Sequence, residues 1–176
     1  MRWAAMLRGI NLGKRQLKSA DLKAVVEGLG FADVKTLLAS GNVVFTAPDT
    51  DAATLETEIH RALDVATGLR SEVFVRTREE LDKVIAANPF PDAATSRPSF
   101  LVVTFHRDEV PQAPLDWIAA HYEGPERMVA KERELYIDFP EGQGRSNLAP
   151  LMPKAKFPTL CTARNWNTVT KLRNAL

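Results

Sequence analysis

One cysteine in 176 residues, Cys161, leaves no partner for an intrachain disulfide and too few thiols for a cysteine metal cluster. It stands in a run of Thr and Leu and reads as a small buried hydrophobe rather than a reactive thiol. The histidines His60, His106 and His121 are scattered without ligand spacing, so no metal and no other cofactor is expected. No apolar run approaches the ~20 residues of a membrane span. The stretch from Trp3 to Leu7 is cut by Arg8 too early for a secretory signal. A cytoplasmic location without a membrane partner is therefore the expectation. Local Ser/His/Asp or Cys/His groupings are also missing. The neighbouring acids Glu79 and Glu80, and Glu132 and Glu134, fall on a helix start and a turn, where carboxylates read as solvated.

Acidic side chains are missing from both ends of the chain. Arg2, Arg8, Lys14, Arg15 and Lys18 precede the first acid, Asp21, and Arg145, Lys154, Lys156, Arg164, Lys171 and Arg173 follow the last, Glu141. The net charge of +1 thus hides basic ends and an acidic middle. Such blocks either steer an anionic partner or simply balance one another on the folded surface. With 45% apolar and 26% charged residues, the chain has the means to bury a core.

The order of elements repeats. Trp3–Leu7 reads as a buried strand, followed by a loop holding Gly9, Asn11 and Gly13. Ser19 is expected to cap a helix whose apolar face is Leu22, Val25, Val26 and Leu29, with Gly30 in the left-handed position beyond its end. Val34–Leu38 and Asn42–Phe45 form a hairpin around Ser40-Gly41-Asn42. A helix from about Ala52 carries Leu55, Ile59 and Leu63, stops at Gly68, and leads to a strand around Val73 and Val75. Thr77-Arg78-Glu79-Glu80 is a capping box. Residues 88–98 read as loop. Then Phe100–Phe105, a helix with Leu115, Ile118, Ala119 and Tyr122, and strands at Met128–Lys131 and Glu134–Asp138 repeat the pattern. The repeat weakens where prolines disturb a helix begun near Asn147, then resumes with a strand at Thr159–Thr162 and a helix capped by Asn165.

The fold class is accordingly α+β: two tandem ferredoxin-like (β-α-β-β-α-β) plaits with antiparallel sheets, a linking helix and a C-terminal helix. The expected division is 1–77 for the first plait, 78–98 for the linking helix and loop, and 99–176 for the second plait with its terminal helix.

Four motifs occur in order along the chain: Leu7-Arg8-Gly9-Ile10-Asn11-Leu12-Gly13, Ser40-Gly41-Asn42-Val43-Val44-Phe45, Asn88-Pro89-Phe90, and Arg164-Asn165-Trp166-Asn167-Thr168-Val169. Together they resemble the bacterial domain-of-unknown-function 1697 family. The resemblance implies a two-plait fold and brings no activity, substrate or catalytic residue with it. The family usually has a second glycine where this chain has Lys14, which makes the first loop here more basic and less supple.

In a plait of this order the loop after the first strand lies beside the hairpin between the second and third. Arg8, Gly9, Asn11, Gly13 and Lys14 are therefore expected next to Ser40, Gly41 and Asn42, with the Ser19 helix opening at the same end. Cations, backbone N–H groups and a helix N-terminus suit an anion. The glycine spacing is neither a P-loop nor a dinucleotide fingerprint. The alternative is structural: glycines for left-handed turns, and Asn11 and Asn42 to tie the loops. In the second plait, Gly142–Asn147 and Arg164, Asn165, Trp166 and Asn167 are expected at one end. There Asn165 also reads as an N-cap and Trp166 as a core or hinge aromatic.

The leading expectation is binding of a phosphate-bearing or otherwise anionic ligand at these loops, either a small molecule such as a nucleotide or single-stranded nucleic acid. The RNA option needs exposed aromatics on the central strands, where Trp3, Phe45, Phe100, Phe105 and Tyr136 are the candidates. The alternatives are a small enzyme acting on an anionic metabolite, with Arg8 and Arg164 as clamps, and a protein–protein adaptor whose loops are structural.

Overall fold

A computed structural model of the protein describes residues 1–38 and 41–176. The first half contains β1 (Arg2–Leu7), α1 (Ser19–Gly28), β2 (Ala32–Thr36), β3 (Asn42–Thr46), α2 (Ala52–Thr67) and β4 (Val73–Thr77). Its sheet runs β2-β3-β1-β4, each neighbouring pair antiparallel. The second half contains α3 (Arg78–Ala86), α4 (Pro91–Ser96), β5 (Leu101–His106), α5 (Gln112–His121), β6 (Arg127–Lys131), β7 (Glu134–Asp138), β8 (Cys161–Asn165) and α6 (Trp166–Ala175). Its sheet, β6-β7-β5-β8, repeats the first order in antiparallel pairs. These are two tandem ferredoxin-like plaits.

The first core follows from periodicity. Trp3, Ala5 and Leu7 of β1, Val43 and Phe45 of β3, and Val73 and Val75 of β4 face one way, as alternate strand residues must. Leu22, Val25 and Val26 of α1 and Leu55, Ile59 and Leu63 of α2 cover them. Ala4, Met6, Val44 and Phe74 on the opposite face are buried too, which is why β1 reads as an unbroken apolar run.

In the second core α5 lies over Val102, Leu135 and Ile137. The place of a second helix is taken by short 3-10 turns at Gln143–Arg145 and Ala149–Leu151. The helix expected near Asn147 is thus corrected to 3-10 and turn structure. Pro150 is tolerated in a first turn, but Pro153 and Pro158 supply no N–H to continue one. Leu148, Ala155 and Phe157 nonetheless reach the core from this segment.

Other local expectations divide. Gly30 is left-handed at φ +82°, as expected. Ser19 is not the cap of α1: Lys18 holds that position, and its carbonyl accepts from Asp21 and Leu22. Residues 91–96, expected as loop, form α4, with Pro91 in its first turn. The last strand starts two residues later than expected, which places Arg164 and Asn165 inside β8. Cys161, expected buried, is half-buried.

The capping box forms as read: Glu80 N–H donates to Thr77 Oγ1 at 3.1 Å, and Thr77 N–H donates to Glu80 Oε2 at 2.8 Å. Thr77→Ala should therefore cost about 1 kcal/mol, with Thr77→Ser recovering most of it. The readout is the urea midpoint at unchanged m-value. An unshifted midpoint would show that water serves the α3 N-terminus as well as the box does.

The chain divides into two compact units, Met1–Lys83 with Thr170–Leu176, and Val84–Val169. The division runs through α3 and α6. The end of α6 belongs to the first unit because Arg2 Nη2 donates to the Ala175 carbonyl at 3.0 Å and Arg173 pairs with Asp82.

Candidate anion-binding corner of the first plait

The chain leaves β1 into a loop held at both ends by buried apolar residues, Ile10 and Leu17. The backbone turns through a left-handed Gly9 (φ +62°) just before Ile10, and through left-handed Asn11 (φ +60°) and Gly13 (φ +60°) between Ile10 and Leu17. Asn11 is the brace. Its N–H donates to the Arg15 carbonyl at 2.7 Å, and its side-chain Oδ1 accepts from Leu17 N–H at 2.9 Å. Arg15 N–H returns a bond to the Leu12 carbonyl at 3.2 Å. An asparagine suits this position because its short polar side chain stabilises a left-handed residue locally.

The loop is tied to its neighbours as the topology requires. Leu7 N–H donates to the Gly41 carbonyl at 2.8 Å, joining β1 to the β2–β3 hairpin. Arg8 N–H donates to the Glu72 carbonyl at 2.9 Å, and Ser71 Oγ donates to the Arg8 carbonyl at 2.8 Å, joining it to the start of β4. Arg15 donates its guanidinium to the Arg70 carbonyl. Asn42 closes the hairpin: its Nδ2 donates to the Leu37 carbonyl at 3.2 Å, and Leu37 N–H donates to the Asn42 carbonyl at 3.0 Å.

The first group of candidates is therefore brought together, with Ser40 lying outside the described residues. Gly9, Asn11, Gly13, Gly41 and Asn42 shape the corner. Arg8, Lys14, Arg15 and Lys18 are exposed on it. Helix α1 opens at the same end, with no side-chain hydrogen bond capping it. Leu12 stands 68% exposed at the loop tip, an apolar residue among cations. Sequence reading treated Leu12 only as part of a motif. Its signal in sequence is its setting among Asn11, Gly13, Lys14 and Arg15.

The second group behaves differently. Asn165 is the N-cap of α6, its Oδ1 accepting from Thr168 N–H at 3.0 Å and Thr168 Oγ1 at 3.1 Å. Trp166 is buried, its backbone N–H donating to the Pro98 carbonyl at 3.1 Å, while Asn167 is exposed. Gly142 sits left-handed at the same end, against the ring of Phe100. Arg164, a candidate clamp, is buried; its Nη1 donates to Thr162 Oγ1 and to the Ala163 carbonyl, each at 2.8 Å. Burial lowers its pKa to about 10. The aromatics Trp3 and Phe45 lie in the helix-covered core, and Phe105 and Tyr136 are buried as well. Tyr136 spends its hydroxyl on the Val84 carbonyl at 2.7 Å. Among the aromatics expected on central strands, only Phe100 is exposed, at 39%, and it precedes β5.

Fold and corner together define a tandem-plait α+β protein with one basic, internally braced loop. Residues 1–136 match the family model described as a protein of unknown function, domain of unknown function 1697, and the chain belongs to that family. A solved structure, the conserved bacterial protein SP0830 from Streptococcus pneumoniae, is similar in fold. The two share 20% sequence identity at a TM-score of 0.73, over 99% of this chain and 97% of that one. Comparison with curated proteins returns no match. Among the described residues, no helix is long and apolar enough to cross a membrane.

Proposed function

We propose that the protein is a cytoplasmic binding module whose first-plait corner takes a small phosphate-bearing ligand. The observation that carries this reading is the pairing of exposed charge with a fixed backbone. Arg8, Lys14, Arg15 and Lys18 are displayed on a loop that Asn11, Ile10, Leu17 and the bond to Gly41 already hold in place. A ligand meeting such a loop does not have to order it first, and that cost is one of the main deductions from affinity. The first-turn N–H groups of α1 add donors that suit a phosphate oxygen. A small ligand is favoured over single-stranded nucleic acid by the burial of Trp3, Phe45, Phe105 and Tyr136, which removes the stacking surfaces a strand uses.

The test is calorimetric titration with pyrophosphate, AMP and a ten-residue oligothymidylate. Pyrophosphate or AMP should bind saturably, and Arg8→Ala should weaken either by about tenfold, the loss of one charge-assisted hydrogen bond. Asn167→Ala, in the other unit, should leave the affinity unchanged. Binding of neither small phosphate, or equal binding by wild type and Arg8→Ala, would remove the corner from consideration. Binding of the oligonucleotide alone, steeply weakened by salt, would transfer the reading to nucleic acid.

A further inference from the structure

The second unit contains a cavity of about 160 Å³ between α5 and the segment that replaces the missing helix. Its walls are Leu115, Ile118, Met128 and Leu148. Leu115, Ile118 and Leu148 are buried and give the cavity an apolar wall. Its polar end is a single carboxylate held from both sides. Glu126 Oε2 accepts from the Tyr122 hydroxyl at 2.9 Å, and Glu126 Oε1 accepts from Ser146 Oγ. Ser146 is fixed in turn, since its Oγ also accepts from Leu148 N–H at 3.1 Å.

Gly124 makes room for this arrangement. A Cβ there would collide with the Tyr122 hydroxyl and with Glu126 Oε2. An alanine at 124 would have to displace the ends of these two side chains from the positions in which they bond to each other. Burial alone would raise the Glu126 pKa, but the hydrogen bonds from Ser146, its own backbone and Tyr122 outweigh that and lower it. The carboxylate is therefore ionised at neutral pH.

We infer that this cavity is a binding site for a small primary amine with an apolar body about the size of a benzene ring. Size fixes the body, because an apolar cavity of roughly 150 Å³ accepts benzene. Charge fixes the head. Three hydrogen bonds, from Ser146, Tyr122 and the Glu126 backbone, leave the carboxylate acceptor capacity for one more donor, and an ammonium is the donor that also matches its charge. A neutral or anionic head would leave that charge uncompensated in a partly apolar site. The site lies in the second unit and does not depend on the phosphate reading of the first.

The experiment is a two-dimensional amide NMR titration of the full chain with benzylamine, protonated at neutral pH, against benzyl alcohol as its neutral counterpart. Saturable shifts should be confined to residues around 115–128 and 146–148. Benzyl alcohol should bind at least tenfold more weakly, and Glu126→Gln should reduce benzylamine to that level. Ala119→Phe, at the cavity lining, should abolish the shifts while leaving Glu126 in place. The spectra report folding of each variant directly, and if Glu126→Gln is unfolded, Ala119→Phe and the alcohol decide. Equal binding of amine and alcohol, shifts that survive Ala119→Phe, or no saturable shift at millimolar amine would overturn the proposal.

Discussion

Asp138→Ala should destabilise the second plait by about 3–5 kcal/mol, the usual cost of removing one partner from a buried ionic cluster. The Asp138 side chain, at the end of β7, is fully buried. Its Oδ1 accepts from Arg97 Nε at 3.0 Å, and its Oδ2 accepts from Arg97 Nη2 at 2.7 Å and from Arg127 Nε and Nη2 at 3.0 and 2.8 Å. Asp92 of α4 accepts from both arginines on the exposed side, and the Arg127 guanidinium lies 4.6 Å from the centre of the Phe90 ring. Without Asp138, two guanidiniums crowd one exposed carboxylate. Arg97 and Arg127 are 27% and 41% exposed, so water relieves part of the loss and the lower end of the range is favoured.

Asp138→Asn should fall between, since one amide oxygen still accepts. Burial by itself would raise the Asp138 pKa, but the hydrogen bonds and charges of Arg97 and Arg127 outweigh it and hold it below the ordinary value. A depressed carboxylate contributes its stability in full above the unfolded pKa near ~4 and loses it as pH falls through the lower folded value. Wild type should therefore lose stability on acidification below about pH 4 more steeply than Asp138→Asn does. Denaturant titrations at a series of pH values measure both effects. A cost below about 1 kcal/mol for Asp138→Ala would show that the cluster is as weak as an exposed ion pair.

The same cluster marks the boundary of what sequence could supply. Periodicity exposed the strands and helices of the first plait because each buries one face, and the burial of Leu55, Ile59 and Leu63 follows that spacing. End signals worked where a side chain makes the bond, as at Thr77 with Glu80 and Asn165 with Thr168. They failed at Lys18, where backbone geometry alone ends the loop. Contacts between distant positions were illegible. Arg97, Arg127 and Asp138 are charged residues like any others until two strands and a loop meet, and Tyr122, Glu126 and Ser146 are joined the same way. Of the candidate site, the parallel relation of β1 and β2 made the Arg8 loop and the Gly41 hairpin neighbours on topology alone. Asn11 and Asn42 each make a side-chain hydrogen bond that ties their loop. Arg164, a charge near a chain end, reads as exposed in sequence, whereas its place inside β8 buries it.

Gly41→Ala should be costly for two separable reasons, and a comparison with Gly30→Ala separates them. Both glycines are left-handed, at φ +72° and +82°, so either alanine meets a conformational penalty of roughly 1–2 kcal/mol. At Gly30 nothing lies within 4 Å of the added Cβ, and the conformational cost is the whole effect. At Gly41 the Cβ would stand 3.0 Å from Leu7 Cβ and 3.3 Å from Ile10 Cβ and Cγ1. Both neighbours are buried, and a Cβ cannot swing aside as a chain end can, so overpacking adds about 1–3 kcal/mol. Gly41→Ala is thus expected to lose about 2–5 kcal/mol, and Gly30→Ala only the first 1–2, in urea unfolding. The added strain falls on Leu7 and Ile10, the two residues that set where the basic loop leaves β1. Gly41→Ala should accordingly weaken pyrophosphate binding at temperatures where it remains folded, while Gly30→Ala, beyond the other end of α1, should not. Equal stability losses at the two glycines would mean that the hairpin yields to the Cβ, and that the corner is softer than its hydrogen bonds imply.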